Sequence, residues 1–170
     1  MKALLIIGLS FLSIVGYSIN STDLQRLKAF SMLEDAEAIV WFDFESAIDQ
    51  NEIEKKPIFI DIYTSWCGWC TRMDESTFKD PKVVSYMNEH FYAVKMDAES
   101  KEAIAFKEKL YEAKNYNGKT YNELAVNLMG GKMSFPSFVI LSKRQVKIGK
   151  INGYKKPTEL ISALQRYEKK

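Results

Sequence analysis

The chain has 170 residues, of which 46% are hydrophobic and 13% aromatic, enough for one core of ordinary domain size but not comfortably for two. Its 24 Lys and Arg side chains are nearly balanced by 22 acids, which leaves a net charge of +2. So small a charge excludes the strong basic field that draws proteins to nucleic acid or to anionic membranes. We therefore expect one globular domain with no nucleic-acid partner.

The first 18 residues have the composition of a secretory signal peptide. Lys2 is followed by an apolar run over residues 3–17 and then by small and polar residues. A membrane anchor is the alternative, but this run falls short of the roughly 20 apolar residues that a membrane-spanning helix requires. We predict cleavage after Ser18 and a periplasmic or otherwise extracytoplasmic location, with no stable membrane span. Disulfides form and persist in such compartments.

Residues 19–38 are predicted to be a leader helix or linker that precedes a domain over residues 39–170. Four apolar side chains recur there at helical spacing: Leu24, Leu27, Phe30 and Leu33.

Strands and helices alternate through the rest of the chain. In chain order the sequence predicts a strand over residues 39–42, a helix over 44–56 and a strand over 58–63. A helical stretch from the cysteine motif to about Phe78, a short helix from Pro81 and a strand over 91–97 follow. Helices over 101–114 and 120–129, a hairpin of residues 137–141 and 145–150, and a closing helix over 157–167 complete the chain. This order predicts an α/β fold with a central mixed β-sheet flanked by helices, and with a helical insertion before the strand that Pro136 heads.

Two cysteines, Cys67 and Cys70, are separated by one helical turn at the start of a predicted helix. Cysteines so placed lie on one helix face, close enough to form a disulfide. Cys67 would meet the unsatisfied N–H groups and the positive end of the helix dipole, which favour thiolate and lower its pKa. We therefore predict that Cys67 is the attacking nucleophile and that Cys70, further inside the helix, resolves the mixed disulfide.

A cysteine pair with this spacing has two alternative roles. A purely structural disulfide would close a loop of four residues, which stabilises the fold by only roughly 2 kcal/mol before strain is deducted. A structural zinc site needs about four ligands, and the chain has two Cys and one His. The redox role is favoured over both, and no metal ion or other cofactor is expected.

The segment IFIDIYTSWCGWC, residues 58–70, resembles the buried strand, tryptophan and redox motif of the thioredoxin superfamily. Residues 66–97 are similar to the thioredoxin-like branch that includes the C-terminal domain of the transmembrane thiol-disulfide interchange reductase. The resemblance extends from about Trp41 to the C-terminus, and it includes a later Phe135-Pro136-Ser137 step. It implies a thioredoxin-like fold and thiol-disulfide oxidoreductase activity.

The resemblance also implies that Pro136 follows a cis peptide bond and lies beside Cys67. A cis bond there would turn the backbone so that Phe135 offers N–H and C=O groups to an extended substrate. The alternative is an ordinary trans proline at the first residue of a strand.

Asp61 matches the buried acid of the family, and Lys95 matches the lysine that partners it. An acid within an apolar strand should have a raised pKa, which suits a group that takes the proton from Cys70 as it attacks. Two alternatives remain open: Asp61 at a strand edge that reaches solvent, and Lys95 as a solvated strand residue.

Three residues around the motif are candidates for substrate contact, namely Trp66, Gly68 and Trp69. Thioredoxin itself has a proline at the place of Trp69, and its connection corresponding to residues 100–132 is shorter. Both departures bear on substrate choice. A lid packed on the protein's own surface is an equally consistent role for Trp69. The tyrosines of the insertion are consistent with a small satellite core.

These observations favour a thiol-disulfide oxidoreductase that acts on disulfides of exported proteins, in the reducing direction. Its expected partners are those client proteins and a membrane or soluble thiol electron donor that regenerates the reduced cysteines. The alternative, from another functional class, is a binding module or holdase for exported proteins in which the disulfide is not catalytic.

Overall fold

The computed structural model describes residues 38–116 and 118–170. The predicted signal peptide, and the leader segment up to residue 37, lie outside the described residues. The described residues form five helices: α1 (Phe44–Ile53), α2 (Gly68–Glu75), α3 (Pro81–His90), α4 (Glu123–Met129) and α5 (Pro157–Leu164). A 3-10 turn over Thr77–Lys79 connects α2 to α3. Within the described part of the chain, no helix is long and apolar enough to cross a membrane.

The described strands form one central sheet and two separate hairpins. The strands are β1 (Trp41–Phe42), β2 (Ile58–Tyr63), β3 (Tyr92–Asp97), β4 (Ile104–Phe106), β5 (Lys109–Tyr111), β6 (Ala113–Tyr116), β7 (Lys119–Asn122), β8 (Ser137–Leu141) and β9 (Lys147–Asn152). The central sheet has the order β1-β3-β2-β8-β9. Strands β1, β3 and β2 are parallel, whereas β8 and β9 are antiparallel to their neighbours. This is the predicted mixed sheet.

Strand β2 lies at the centre of the sheet, and its register with β3 places Asp61 beside Lys95. Ile58, Ile60 and Ile62 pack into one core cluster, while Phe59 packs into the other. Both faces are therefore covered, which explains the nearly continuous apolar sequence of this strand. Asp61 lies in the same strand, paired with Lys95 of β3 on one side. The strand ends just before the cysteine pair, so the sheet holds that pair in place.

The insertion between β3 and β8 differs from the sequence expectation. A helix was predicted over residues 101–114, but the chain forms the β4-β5 hairpin there and then the β6-β7 hairpin. Ile104 and Phe106, two positions apart, pack against the core, which fits a strand and not a helix. The connecting Lys107 and Glu108 both have positive φ, the conformation of a tight two-residue hairpin turn.

Only the last part of the insertion is helical. Helix α4 begins after Asn122, whose side chain accepts a hydrogen bond from the Leu124 N–H. The helix predicted over residues 120–129 therefore begins three residues later than expected. Gly130 ends the helix in the left-handed conformation that glycine adopts readily. The helical insertion is thus corrected to two hairpins followed by one short helix.

Candidate active site

Cys67 and Cys70 are joined by a disulfide at the N-terminus of α2, with their Cα atoms 5.2 Å apart. Cys67 is the N-cap residue of this helix, and its Sγ accepts a hydrogen bond from the Cys70 N–H over 3.1 Å. Both side chains are buried. The first cysteine therefore occupies the position where the open end of a helix stabilises negative charge on sulfur.

Asp61 is a buried carboxyl group in the strand that leads to the cysteines, with only 1% of its surface exposed. Its Oδ2 accepts a hydrogen bond from the Lys95 ammonium over 2.7 Å. Its Oδ1 has no hydrogen-bond partner among the described residues. Burial raises the pKa of Asp61 to about 6, and the attraction of Lys95 offsets only part of that effect. The carboxyl group is thus positioned to exchange a proton near neutral pH.

Lys95 also donates a hydrogen bond to a second carboxylate, that of Asp74 on α2. Its ammonium lies 4.9 to 5.4 Å from the ring centroids of Tyr63, Trp41 and Phe78. Burial alone would lower the pKa of Lys95, but the two carboxylates outweigh burial and hold that pKa above its usual value. Lys95 is therefore a charged group surrounded by aromatic rings, and it is not freely solvated.

The Phe135–Pro136 peptide bond is cis in the structure. Pro136 directly precedes β8, whose first residue, Ser137, pairs with Ile62 near the end of β2. The Phe135 ring lies edge-on to Trp66, with their ring centroids 5.7 Å apart. The segment before β8 is thus in contact with the tryptophan that precedes the redox motif.

The two tryptophans of the motif are largely exposed, Trp66 by 56% and Trp69 by 62%. The Trp66 indole N–H donates to the Glu99 carboxylate over 3.0 Å. The Lys119 ammonium, from the β6-β7 hairpin, lies 4.8 Å from the centre of the Trp66 ring. Trp69 packs against Tyr154, with the ring centroids 5.4 Å apart. Both indoles are held by the protein yet keep most of their surface open.

Gly68 leaves open space beside the cysteines, because a Cβ at this position would meet no atom within 4 Å. Gly68, Trp69 and Arg72 line a surface cavity next to the disulfide. In the described part of the chain, no group of three or more His, Cys, Asp or Glu side chains is arranged to hold a metal ion.

Four residues of this region were not singled out from the sequence: Arg72, Asp74, Glu99 and Lys119. One sequence signal for Asp74 existed, since it follows Cys70 by four positions on the same helix and therefore lies on the same face. Glu99 and Lys119 carry no such signal, because their contacts with Trp66 join segments far apart in the chain.

The strand order and the disulfide at a helix N-terminus define a thioredoxin-like fold, as predicted. Residues 23–145 match the sequence profile of the Thioredox_DsbH family, described as a protein of unknown function, DUF255. The chain belongs to this family, and its fold places it in the class of thioredoxin-like proteins.

The chain is also similar to solved structures and to a curated relative. A proposed disulphide-isomerase from Bacteroides thetaiotaomicron is 25% identical, with a TM-score of 0.54 over 77% of this chain and 92% of that one. The reduced DsbD C-terminal domain of Neisseria meningitidis is 17% identical, with a TM-score of 0.50 over 75% of this chain and 98% of that one. This similarity is one of fold. Spermatogenesis-associated protein 20 of Rattus norvegicus is 34% identical over 62 residues, 36% of this chain. The aligned segment spans only 8% of that relative's length.

Proposed function

We propose that this protein is an exported thiol-disulfide reductase whose redox pair is Cys67 and Cys70. The observation that carries the proposal is a disulfide at the N-terminus of α2, in a fold whose neighbouring strand buries a protonatable carboxyl group. A disulfide that merely stapled the chain would need neither the helix terminus nor the buried acid. This arrangement favours exchange chemistry over a structural role.

In the proposed reaction the reduced protein begins with a Cys67 thiolate. Its sulfur attacks one sulfur of a client disulfide, and the other client sulfur leaves as a thiolate that takes up a proton. Cys67 is then joined to the client in a mixed disulfide. The N-cap position of Cys67 and the hydrogen bond from the Cys70 N–H support its role as the nucleophile.

Cys70 completes the exchange by attacking Cys67 within the mixed disulfide. As it does so, the Cys70 thiol loses its proton to the Asp61 carboxylate, at the oxygen that Lys95 does not hold. The client leaves with two thiols, and the protein is left with the Cys67–Cys70 disulfide. Two electrons have passed from protein to client, so a thiol donor must reduce the protein again.

The client is proposed to bind as an extended segment across the motif. The N–H and C=O groups of Phe135, before Pro136, would pair with its backbone. The exposed faces of Trp66 and Trp69 would contact side chains near the client disulfide, and Gly68 leaves room for its close approach. Lys95 supports the site by holding Asp61.

The proposed direction and location rest on separate arguments. The N-terminal 18 residues have signal-peptide character, and a protein exported from the cytoplasm meets client disulfides. The likeness to a DsbD C-terminal domain supports a place in a thiol-disulfide relay, with a membrane or soluble thiol carrier as electron donor. The proposed clients are exported proteins that contain disulfides.

A binding module for exported chains is the competing function, and one observation favours it: two tryptophans expose more than half of their surface. Such aromatic surface can hold an unfolded segment with no redox step. The Cys67–Cys70 disulfide would then be incidental.

Reduction of insulin disulfides in the presence of a thiol reductant separates the two functions. We expect the protein to accelerate insulin precipitation and Cys67→Ser to fall to the rate of the reductant alone, because the variant has no nucleophile. Binding of a reduced, unfolded client by both proteins is the parallel measurement. Parent activity no faster than the reductant, with client binding unchanged in Cys67→Ser, would establish the binding module instead.

A further inference from the structure

Asp74 places a second carboxylate on the ammonium that holds the buried acid. The Lys95 Nζ donates both to Asp61 Oδ2 and to Asp74 Oδ1. The two acids reach it from different elements, Asp61 from β2 and Asp74 from α2, the helix that carries Cys70. One positive charge is therefore shared between two negative ones.

The two carboxylates differ sharply in their access to water. Asp61 is only 1% exposed, whereas the Asp74 side chain is 43% exposed. An exposed acid ionises without a large desolvation cost, whereas a buried one requires strong stabilisation of its charge. The Asp74 carboxylate therefore takes part of the attraction that Lys95 would otherwise give to Asp61 alone. The same contact connects the buried acid, through Lys95, to the surface.

We propose that Asp74 is a positioning residue that acts through Lys95 to keep Asp61 basic enough to accept the proton of Cys70. Only the last step of this inference, the transfer of the Cys70 proton to Asp61, rests on the proposed function. Without Asp74, Lys95 would pair with Asp61 alone, the Asp61 carboxylate would be more stable, and it would take a proton less readily. With the Asp74 carboxylate present, loss of the proton from Asp61 leaves the three-residue cluster with one net negative charge, whereas the pair of Asp61 and Lys95 alone would be neutral, so the carboxylate of Asp61 is less stable in the cluster.

The other groups around this cluster do not supply the same effect. Tyr63 is a further titratable group beside the cluster, and the charges of Asp61, Asp74, Lys95 and Asp97 all act on it. Burial is the main reason that the pKa of Tyr63 is raised, so its phenol stays neutral at neutral pH. Trp41 and Phe78 close the apolar sides. Asp97 forms no ion pair with Lys95 in the structure, so Asp74 is the carboxylate that competes for this ammonium.

The experiment is a ¹³C NMR titration of the Asp61 carboxyl group in the reduced protein and in three variants. In Asp74→Asn we expect the Asp61 titration to move down by about one pH unit, because a like charge has been removed. In Lys95→Met it should move up, because an opposite charge has been removed. Glu75→Gln is the matched control, since it removes a neighbouring exposed acid of α2 that does not bond Lys95, and it should leave the titration unchanged.

Activity provides the second readout. In the pH profile of insulin reduction, the acid limb should follow the Asp61 titration and therefore move to lower pH in Asp74→Asn. The rate of this variant at neutral pH should fall about threefold, because Asp61 is then a weaker base. An Asp61 titration that is the same in Asp74→Asn as in the parent would overturn the inference. If the parent itself reduces no insulin, the proposed function fails, yet the NMR titration still decides whether Asp74 tunes Asp61.

Discussion

Cys70→Ser should stop the reaction at the mixed disulfide, with Cys67 covalently joined to the client. The nucleophile and its helix terminus are unchanged in this variant, so the first attack proceeds. The resolving thiol is missing, and a serine hydroxyl does not displace a disulfide sulfur under these conditions. We expect a single turnover that yields about one adduct per protein molecule, and a multiple-turnover rate no faster than that of the added reductant.

The measurement is non-reducing gel electrophoresis with mass spectrometry of the adduct. Cys67→Ser is the matched control, because it keeps Cys70 and the same fold but should form no adduct. An adduct that accumulates on Cys70 in Cys67→Ser, and not on Cys67 in Cys70→Ser, would mean that the two cysteines have the opposite roles.

Asp61→Asn should lower the rate of client reduction by about 10²-fold or more at neutral pH, the usual contribution of a positioned proton acceptor. The amide has nearly the same shape as the carboxyl group but cannot take the Cys70 proton. Stopped-flow kinetics of the resolving step measures the effect. Asp49→Asn, which changes an exposed acid of α1, is the control and should react like the parent. Full activity of Asp61→Asn across neutral pH would exclude proton transfer by this residue.

The same substitution should change stability in a pH-dependent way that is separate from its effect on rate. The folded pKa of Asp61 is about 6, above the value of about 3.9 in an unfolded chain. The folded protein therefore binds this proton more tightly, which stabilises it fully below about pH 4, and this contribution is lost as pH rises through about 6. The separation of about two pH units corresponds to about 3 kcal/mol.

The free energy of unfolding of the parent should therefore fall, relative to Asp61→Asn, between about pH 4 and pH 6. Urea titrations of both proteins across this range measure the difference. Parallel curves would show that Asp61 has the same proton affinity in the folded and unfolded chain.

The parts of the fold that the sequence predicted correctly are those governed by local patterns. The apolar run of β2 required a strand covered on both faces. The helix predicted from Pro81 is confirmed as α3, and the structure has Asp80 as its N-cap. The cysteine spacing predicted one helix face, and the disulfide lies there.

The parts that the sequence did not predict depend on contacts between distant segments. Residues 104–116 have good helix formers, but pairing across the two hairpins and packing of Phe106 on Phe44 outweigh that local preference. Their first turn, at Lys107 and Glu108, lacks the Asn-Gly signal that normally announces such a hairpin. The ion pair of Lys95 with Asp74 also needed the structure, since only folding brings β3 beside α2.

The redox potential of the Cys67–Cys70 pair tests the central claim, that this protein donates electrons to client disulfides. A strongly oxidising pair requires a heavily stabilised thiolate. Here the helix terminus supports Cys67, but the intervening Gly68 and Trp69 add no charge. Equilibration against glutathione, followed by the fluorescence of Trp66 and Trp69, should give roughly −200 to −270 mV, in the range of thioredoxins and glutaredoxins. A value near about −120 mV would contradict the reductase function and make the protein a donor of disulfides.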